Sequence, residues 1–359
     1  MVICKPFKVL TGTGPKVIVP NRFARELRNN PALNFNKAFV HDFFPSYPGM
    51  EPLAEFSAHD SVTAETIRTK LTQSLGLVTN DLVDETTSGL ADLYGDHFVN
   101  QWRTVVLKQS VLDLIARLSS RVFLGKGLCR EHRWLEIAKT YAVDAVHATF
   151  ALRMVNPLIR PVYHWLMPEF KRCRQAVKDA HKMIDKEVLK RRKKVDEYLS
   201  AGKTPPNVAE TIGWMHETAM NNKTKVDYVA AQLWPPSTPP PRSPARPSST
   251  LLPTPRSSRP YIGPEICAYP EPERFDAWRF LKARERTGEE NGTPFSGRFF
   301  AANEVKIALC HMLLKYDWRW VAGKGRPESS RFELEDSISA TGEVQFRRRK
   351  EEINLDVSL

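Results

Sequence analysis

No run of 18 or more apolar residues occurs in this 359-residue chain, so the sequence offers no candidate for a membrane-spanning helix. The opening MVICKPFKVL is too short and too interrupted for a secretory signal. Cysteine is scarce, with five scattered residues, which is typical of a reducing compartment. The nine histidines form no HExxH or HxxxH pair, and no GxSxG elbow, phosphate loop or GxGxxG fingerprint occurs. The residues alone therefore predict no complete active site.

Acidic residues are outnumbered, with 41 Asp and Glu against 53 Lys and Arg and a net charge of +12. Such an excess of positive charge is compatible with binding to a nucleic acid or to an anionic membrane. However, the charge is spread along the chain, and the one dense run, KRRKK at 190–194, is explained by the solvated face of a helix. Nothing resembles a zinc finger, a basic zipper or an aromatic ribonucleoprotein box. We therefore expect a basic enzyme surface and no nucleic-acid partner.

Apolar residues make up 42% of the chain, which is enough to fill a core. Most of residues 60–233 has the spacing of amphipathic helices, including one long helix from Lys171 to Leu199, and a further helix is predicted from Ala301 to Tyr316. NPLIRPVYHWLMPEF predicts a broken connection between helices. VLTGTGPKVIVP predicts a strand pair with a turn, and DWRWVAG and GEVQFRRRK predict short strands. The predicted fold class is mainly α, of the α+β kind.

One stretch breaks this pattern. From Trp234 to Pro260 the chain has ten prolines in 27 residues and no acidic residue, which excludes a helix or an interior strand. A stiff linker or a ligand for a proline-binding domain is the ordinary interpretation. The break divides the chain into residues 1–233, the proline-rich stretch 234–260, and residues 261–359.

Several segments resemble fungal cytochrome P-450 monooxygenases. GRFFAANEVKIALCHMLLKYDW, from Gly297 to Trp318, resembles the exit of the haem loop and the helix that follows it. PEPERFDAWRF, from Pro270 to Phe280, is similar to the PERF region. VLDLIARLSSRVFLGKGLCR at 111–130, with KVIVPNRFARELRNNP and AFVHDFFPSYPG upstream, resembles the branch with ent-kaurene-oxidase-like enzymes of terpenoid and indole-diterpene pathways. The resemblance covers most of residues 6–233 and 261–350.

The resemblance implies oxygen- and NADPH-dependent hydroxylation at a haem iron held by a cysteine thiolate. It further implies NADPH-cytochrome P-450 reductase as the electron donor, a hydrophobic small molecule as the substrate, and a family location on the cytosolic face of the endoplasmic reticulum membrane. Basic residues stand at positions where the family contacts or supports the haem: Arg68, Lys70, Arg274 and Arg298. For Arg68 and Lys70, ordinary surface cations on a helix are the alternative.

The sequence departs from the family pattern at the positions that oxygen activation requires. The position of the haem-ligand cysteine is occupied by Phe295, in NGTPFSGRFF. No Glu-x-x-Arg helix precedes the PERF segment after the proline-rich stretch, so Arg274 lacks the partners of the family's salt-bridge network. The long oxygen-activating helix is expected after VDYVAAQL, where the proline-rich stretch begins. We therefore expect an incomplete cytochrome P-450-like fold that is inactive, without bound haem, and cytoplasmic because the family's N-terminal anchor is missing.

The proline-rich stretch has a third interpretation. Read two nucleotides out of phase, WPPSTPPPR permits Ala-Ala-Ile-His-Thr-Thr-Thr-Glu, the kind of sequence that this branch carries in the oxygen-activating helix. We therefore predict that residues 234–260 are a frame-shifted image of that helix. Two further hypotheses remain open: the sequence is a mistaken translation of an intact enzyme, or the chain is a non-catalytic remnant that binds a ligand or a partner.

Overall fold

The fold is known from a computed structural model. It describes residues 6–20, 32–58, 62–95, 101–202, 211–223, 226–233, 298–332 and 335–351, and the positions 23, 26, 27, 30, 353 and 355. The proline-rich stretch 234–260, Arg274 and Phe295 lie outside the described residues.

Helices make up most of the described chain. They are α1 Phe35–Phe43, α2 Glu51–Ser57, α3 Val62–Thr66, α4 Leu75–Tyr94, α5 Leu107–Leu124, α6 His132–Arg153, α7 Arg160–Tyr163, α8 Pro168–Ser200, α9 Thr211–Asn222, α10 Tyr228–Leu233 and α11 Arg298–Lys315. A π-helical turn, Ile67–Leu71, joins α3 to the segment before α4. The long helix predicted over 171–199 is confirmed as α8, and the helix predicted over 301–316 is confirmed as α11.

The helix ends follow from local chemistry. The side chain of Asn34 accepts a hydrogen bond from the backbone N–H of Lys37 and caps the start of α1. Pro168 occupies the first turn of α8, where the backbone N–H that proline lacks has no helical partner. Helices α4 and α5 end at Gly95 and Gly125, which both have a φ of 79°. A side chain would be strained in that conformation, so glycine stops each helix there.

The strands form small antiparallel sheets. Phe7–Thr11 (β1) and Gly14–Ile18 (β2) make the hairpin predicted from VLTGTGPKVIVP, and Thr11 faces Gly14 across the turn. Three later strands, Arg103–Val106 (β3), Tyr316–Trp320 (β4) and Glu343–Arg348 (β7), form one sheet with β7 in the middle. The remaining pair is Ser330–Phe332 (β5) with Glu335–Ser337 (β6). The strands predicted in the tail are therefore confirmed.

The core lies between the long helices. Helix α6 packs along α8, and α4 packs along α5. The fully enclosed side chains include Leu82, Leu118 and Phe170, and Trp134 donates from Nε1 to Ser120 Oγ at 2.8 Å. Truncating one such apolar side chain to alanine costs about 2–5 kcal/mol because a cavity is left behind. These contacts make the described helices one packed body.

The connection between α6 and α8 is irregular, as predicted from NPLIRPVYHWLMPEF. Only the four-residue helix α7 interrupts it. Among the described residues, no helix combines the length and the apolar character needed to cross a bilayer.

Candidate functional site

The π-helical turn places Arg68 and Lys70 on the surface next to α9. Ile67 and Leu71 are buried beneath the turn, and Thr72 Oγ1 donates to the Ile67 carbonyl at 2.7 Å. Arg68 is exposed. A π-helical turn is rare and occurs frequently at functional sites, because it rotates the side chains that follow it.

Contacts from α9 fix this turn. Lys70 Nζ lies 2.8 Å from Glu217 Oε1, in a pair that is largely open to solvent. Deeper in the same interface, Thr66 Oγ1 donates to Thr218 Oγ1 at 3.2 Å. Lys70 is therefore paired with a carboxylate at the surface. No contact tests a role of Arg68 or Lys70 toward haem, which stays a prediction.

Arg298 is the first residue of α11, and its side chain lies outside the described part of the chain. The rest of α11 is held firmly against α4 and α5. Asn303 Nδ2 donates to Thr79 Oγ1 at 3.0 Å, and the buried Glu304 accepts from Ser119 Oγ at 2.8 Å. The start of α11 is thus positioned against the helical body.

Two buried thiols are in surroundings that oppose ionisation. Burial, followed by the charge of Glu85, raises the pKa of Cys129 to about 12. Burial, followed by the charge of Asp144, raises the pKa of Cys173 to about 12. Cys310 lies on the exposed face of α11. A metal ligand must be a thiolate, and neither buried thiol is in an environment that favours one.

A buried carboxylate between α4 and α5 is paired with two arginines. Glu85 on α4 is fully enclosed and bonds to Arg117 of α5 and to Arg130, which follows α5. Arg117 also donates from Nη2 to Ser88 Oγ at 2.9 Å. Burial by itself raises the pKa of Glu85, but hydrogen bonds and charge from Arg130 and Arg117 outweigh burial and lower it. Sequence reasoning missed this network because its members are 32 and 45 residues apart.

The described residues contain no group of three or more His, Cys, Asp or Glu side chains that could hold a metal ion. The Glu85 network is satisfied internally and joins α4, α5 and the loop that follows α5. It is a structural feature and offers no site for a substrate.

Comparison with known proteins decides the family. The chain is 30% identical to the cytochrome P-450 monooxygenase bsc11 of Alternaria brassicicola over 447 residues, covering 98% of this chain and 85% of the relative. The chain belongs to the cytochrome P-450 monooxygenase family. The monooxygenase bsc2 of the same fungus is 29% identical, with 97% of this chain and 83% of the relative covered. The monooxygenase hepE of Aspergillus oryzae is 28% identical, with 89% and 74% covered. No family model matches the chain.

The match to bsc11 extends over 447 residues, whereas this cytochrome P-450 chain has 359. The relative therefore has residues inside the matched region that have no counterpart here.

Membership implies haem as the family cofactor, together with a redox partner and a small-molecule substrate. The described cysteines do not fit a haem thiolate. Burial raises the pKa of Cys129 and of Cys173 to about 12, and Cys310 is exposed on α11. Cys4 and Cys267 lie outside the described residues. No reaction step through haem follows from the residues that the structure describes.

Proposed function

We infer that this chain descends from a monooxygenase of a fungal secondary-metabolite pathway and that the substrate of this ancestor was a terpenoid scaffold. We further infer that the polypeptide itself is catalytically inactive. The terpenoid class is supported by segment 111–130 and the two segments upstream of it, which resemble ent-kaurene-oxidase-like enzymes. The ancestral reaction is hydroxylation of an apolar molecule with electrons from NADPH-cytochrome P-450 reductase.

The absence of a thiol at the ligand position carries the inference of inactivity. NGTPFSGRFF has Phe295 where the family has its cysteine. A phenyl ring cannot donate electron density to iron, and the thiolate is what favours cleavage of the O–O bond in this family. The surplus of residues in the relative supports the prediction that segments are missing inside this chain. The proline-rich stretch that follows VDYVAAQL is the reason to expect the oxygen-activating helix among them.

A carbon-monoxide difference spectrum tests this proposal. The full chain is expressed with added haem precursor, next to bsc2 as a positive control, and both are reduced under carbon monoxide. We expect the thiolate-type Soret band from bsc2 and no such band from this chain. A strong thiolate-type band from this chain would show that a cysteine does ligate the iron, and the proposal would then be wrong.

The second candidate is that the gene encodes an intact enzyme and that the present sequence is a mistaken translation of it. The alternative reading frame of WPPSTPPPR, which restores a Thr-Thr-Thr-Glu sequence, favours it. Sequencing the locus and its transcript around codons 230–260 decides this point. A transcript with the shifted frame would assign activity to the corrected protein, and a transcript that encodes the present sequence would remove this candidate.

A non-catalytic remnant is the third candidate, and the packing of the described residues favours it. The helices and strand β7 share one core cluster whose residues run from Phe39 to Phe346. A chain with such a core has the means to remain folded and to bind a ligand or a partner.

A further inference from the structure

A pocket lies at one end of the sheet formed by β3, β7 and β4, where α5 begins. Trp320 of β4 and Val344 of β7 face each other across the ladder, and both line this pocket. Leu107 and Lys108 of α5 line one side, and parts of segment 326–342 line the other. The pocket has a volume of about 30 Å³. Because a single water needs about 10–15 Å³, the pocket has room for a group the size of a carboxylate.

The backbone at Gly342 fixes one wall of the pocket. Its carbonyl accepts a hydrogen bond from the backbone N–H of Leu107 at 3.0 Å, which ties the start of α5 to the start of β7. A Cβ atom added at Gly342 would lie 3.0 Å from Cγ of Pro327 and 3.3 Å from Cβ of Ser339. Glycine therefore lets both residues pack directly against the backbone, and this wall is formed before any ligand binds.

The charges around the pocket favour an anion. Lys108 and Arg326 line it, and none of its described lining residues is Asp or Glu. Glu343, next to Val344 on β7, is paired with Lys324 at 2.7 Å. Helix α5 begins without a side-chain cap and has no acidic residue in its first turn. The partial positive charge of this helix end adds to that of the two cations.

Trp320 supplies a hydrogen-bond donor that lacks an acceptor. Its Nε1 is buried, and no group in the described part of the chain accepts a hydrogen bond from it. A buried donor without a partner is unfavourable, and an acceptor that enters the pocket beside the ring would remove this cost. The donor and the two cations therefore favour the same kind of ligand, an oxygen anion.

Apolar side chains restrict the kind of anion. Leu107, Ile338 and Val344 also line the pocket. Phosphate or sulfate would place oxygens on all sides and so against these side chains, where no hydrogen bond replaces the lost water. A carboxylate carries both oxygens at one end, and a short hydrocarbon chain can follow it.

We propose that this pocket binds a short-chain organic carboxylate. The carboxylate pairs with Lys108 and Arg326 and accepts a hydrogen bond from Trp320 Nε1, while its hydrocarbon part contacts Leu107 and Val344. Apolar walls with a few convergent polar groups are the usual design of a small-molecule site. The pocket uses none of the residues expected to contact haem, so its test does not depend on monooxygenase activity.

Nuclear magnetic resonance of the ¹⁵N-labelled full chain tests the proposal through the indole N–H signals of its eight tryptophans. The signal of Trp320 is identified by its loss in Trp320→Phe. We expect titration with butyrate at constant ionic strength to shift this signal. Butyramide has nearly the same shape without the charge, and it should bind at least about tenfold more weakly, because charge-assisted hydrogen bonds are stronger than neutral ones. Inorganic phosphate should also bind more weakly than butyrate.

A pair of lysine variants tests the position of the charge. Lys108→Met removes one cation and keeps an unbranched side chain, so it should raise the Kd for butyrate about tenfold. Lys126→Met is the matched control, because Lys126 is an exposed lysine just beyond the other end of α5. The distance between the two positions is roughly 25 Å at 1.5 Å per residue. This control should leave the Kd unchanged, and far-ultraviolet circular dichroism verifies that both variants are folded.

Four results would overturn the proposal. Butyrate that leaves the Trp320 signal in place would show that the pocket does not bind it. Equal affinity for butyramide would show that the charge has no role. Tighter binding of phosphate would make an inorganic anion the ligand. Equal losses in Lys108→Met and Lys126→Met would show that only the net charge of the protein matters.

Discussion

Glu85 shows how a single buried charge organises the helical body. Its carboxylate is enclosed, and the two guanidiniums that reach it come from α5 and from the residues after α5. Arg117 is itself nearly buried, whereas Arg130 is partly open to solvent. Removing one partner of a buried ion pair is expensive because the other charge is left without compensation.

Glu85→Gln should therefore destabilise the protein. We expect the free energy of unfolding to fall by about 2–4 kcal/mol. Arg117 keeps its charge in the interior, and the neutral amide can accept a hydrogen bond from it but cannot compensate that charge. Urea denaturation measures the change. Glu217→Gln, which removes the exposed partner of Lys70, is the control and should cost less than about 1 kcal/mol. Equal effects at the two positions would contradict the structural role of Glu85.

At the scale of elements, the 154–167 connection is held in place by aromatic packing and by Arg160, which donates to the carbonyls of Val155 and Arg153. His164 is buried, with ring centres 4.6 Å from Tyr47 and 5.6 Å from Phe170. Burial, followed by the charge of Arg174, lowers the pKa of His164, while a backbone hydrogen bond with Pro161 acts in the opposite direction. The connection is therefore built around a neutral imidazole.

The stability of the protein should depend on pH through His164. In the unfolded chain this histidine takes up a proton below its ordinary pKa of 6.5, whereas in the folded chain it stays neutral to lower pH. The unfolded state then binds more protons, so the free energy of unfolding should fall as the pH drops from about 7 to about 5.5. His164→Gln should flatten this dependence in urea denaturation at both pH values. His181→Gln, at a half-exposed position on α8, should leave it unchanged.

At the scale of the whole molecule, one strand joins distant parts of the chain. Strand β7 lies between β3 and β4, so that Phe346 faces both Arg103 and Trp318. The Phe346 ring packs against Tyr94 at 4.7 Å between ring centres and against Tyr316 at 5.9 Å. Strand β7 is thus part of the same core as α4.

Phe346→Ala should weaken the helices and the sheet together. The cavity should lower the free energy of unfolding by about 3–5 kcal/mol. During unfolding, the circular dichroism of the helices and the tryptophan fluorescence should still change in one coincident transition. The exposed Arg319 of the same sheet offers a control, because Arg319→Ala removes surface contacts only. If Phe346→Ala shifted the fluorescence transition alone, the sheet would be an independent unit.

The periodic elements could be predicted from sequence because their signals are local. Apolar spacing identified α8 and α11 to within a few residues, and the turn chemistry of GTG identified the hairpin. Pro161 and Pro168 indicated the broken connection. The family was also within reach of sequence, since the segments that resemble it keep the family's order.

The candidate site could be predicted only in part. The sequence alone predicts that Phe295 stands at the position of the haem-ligand cysteine, because this comparison with the family pattern needs only the order of residues in NGTPFSGRFF. The tertiary structure decided that Lys70 pairs with Glu217 and that Glu85 contacts two arginines. It also decided that Arg160 of the 154–167 connection donates to the carbonyl of Gly12 in the hairpin turn. These features join residues that are 32 to 148 positions apart, and such contacts depend on helix packing, which no local pattern of residues encodes.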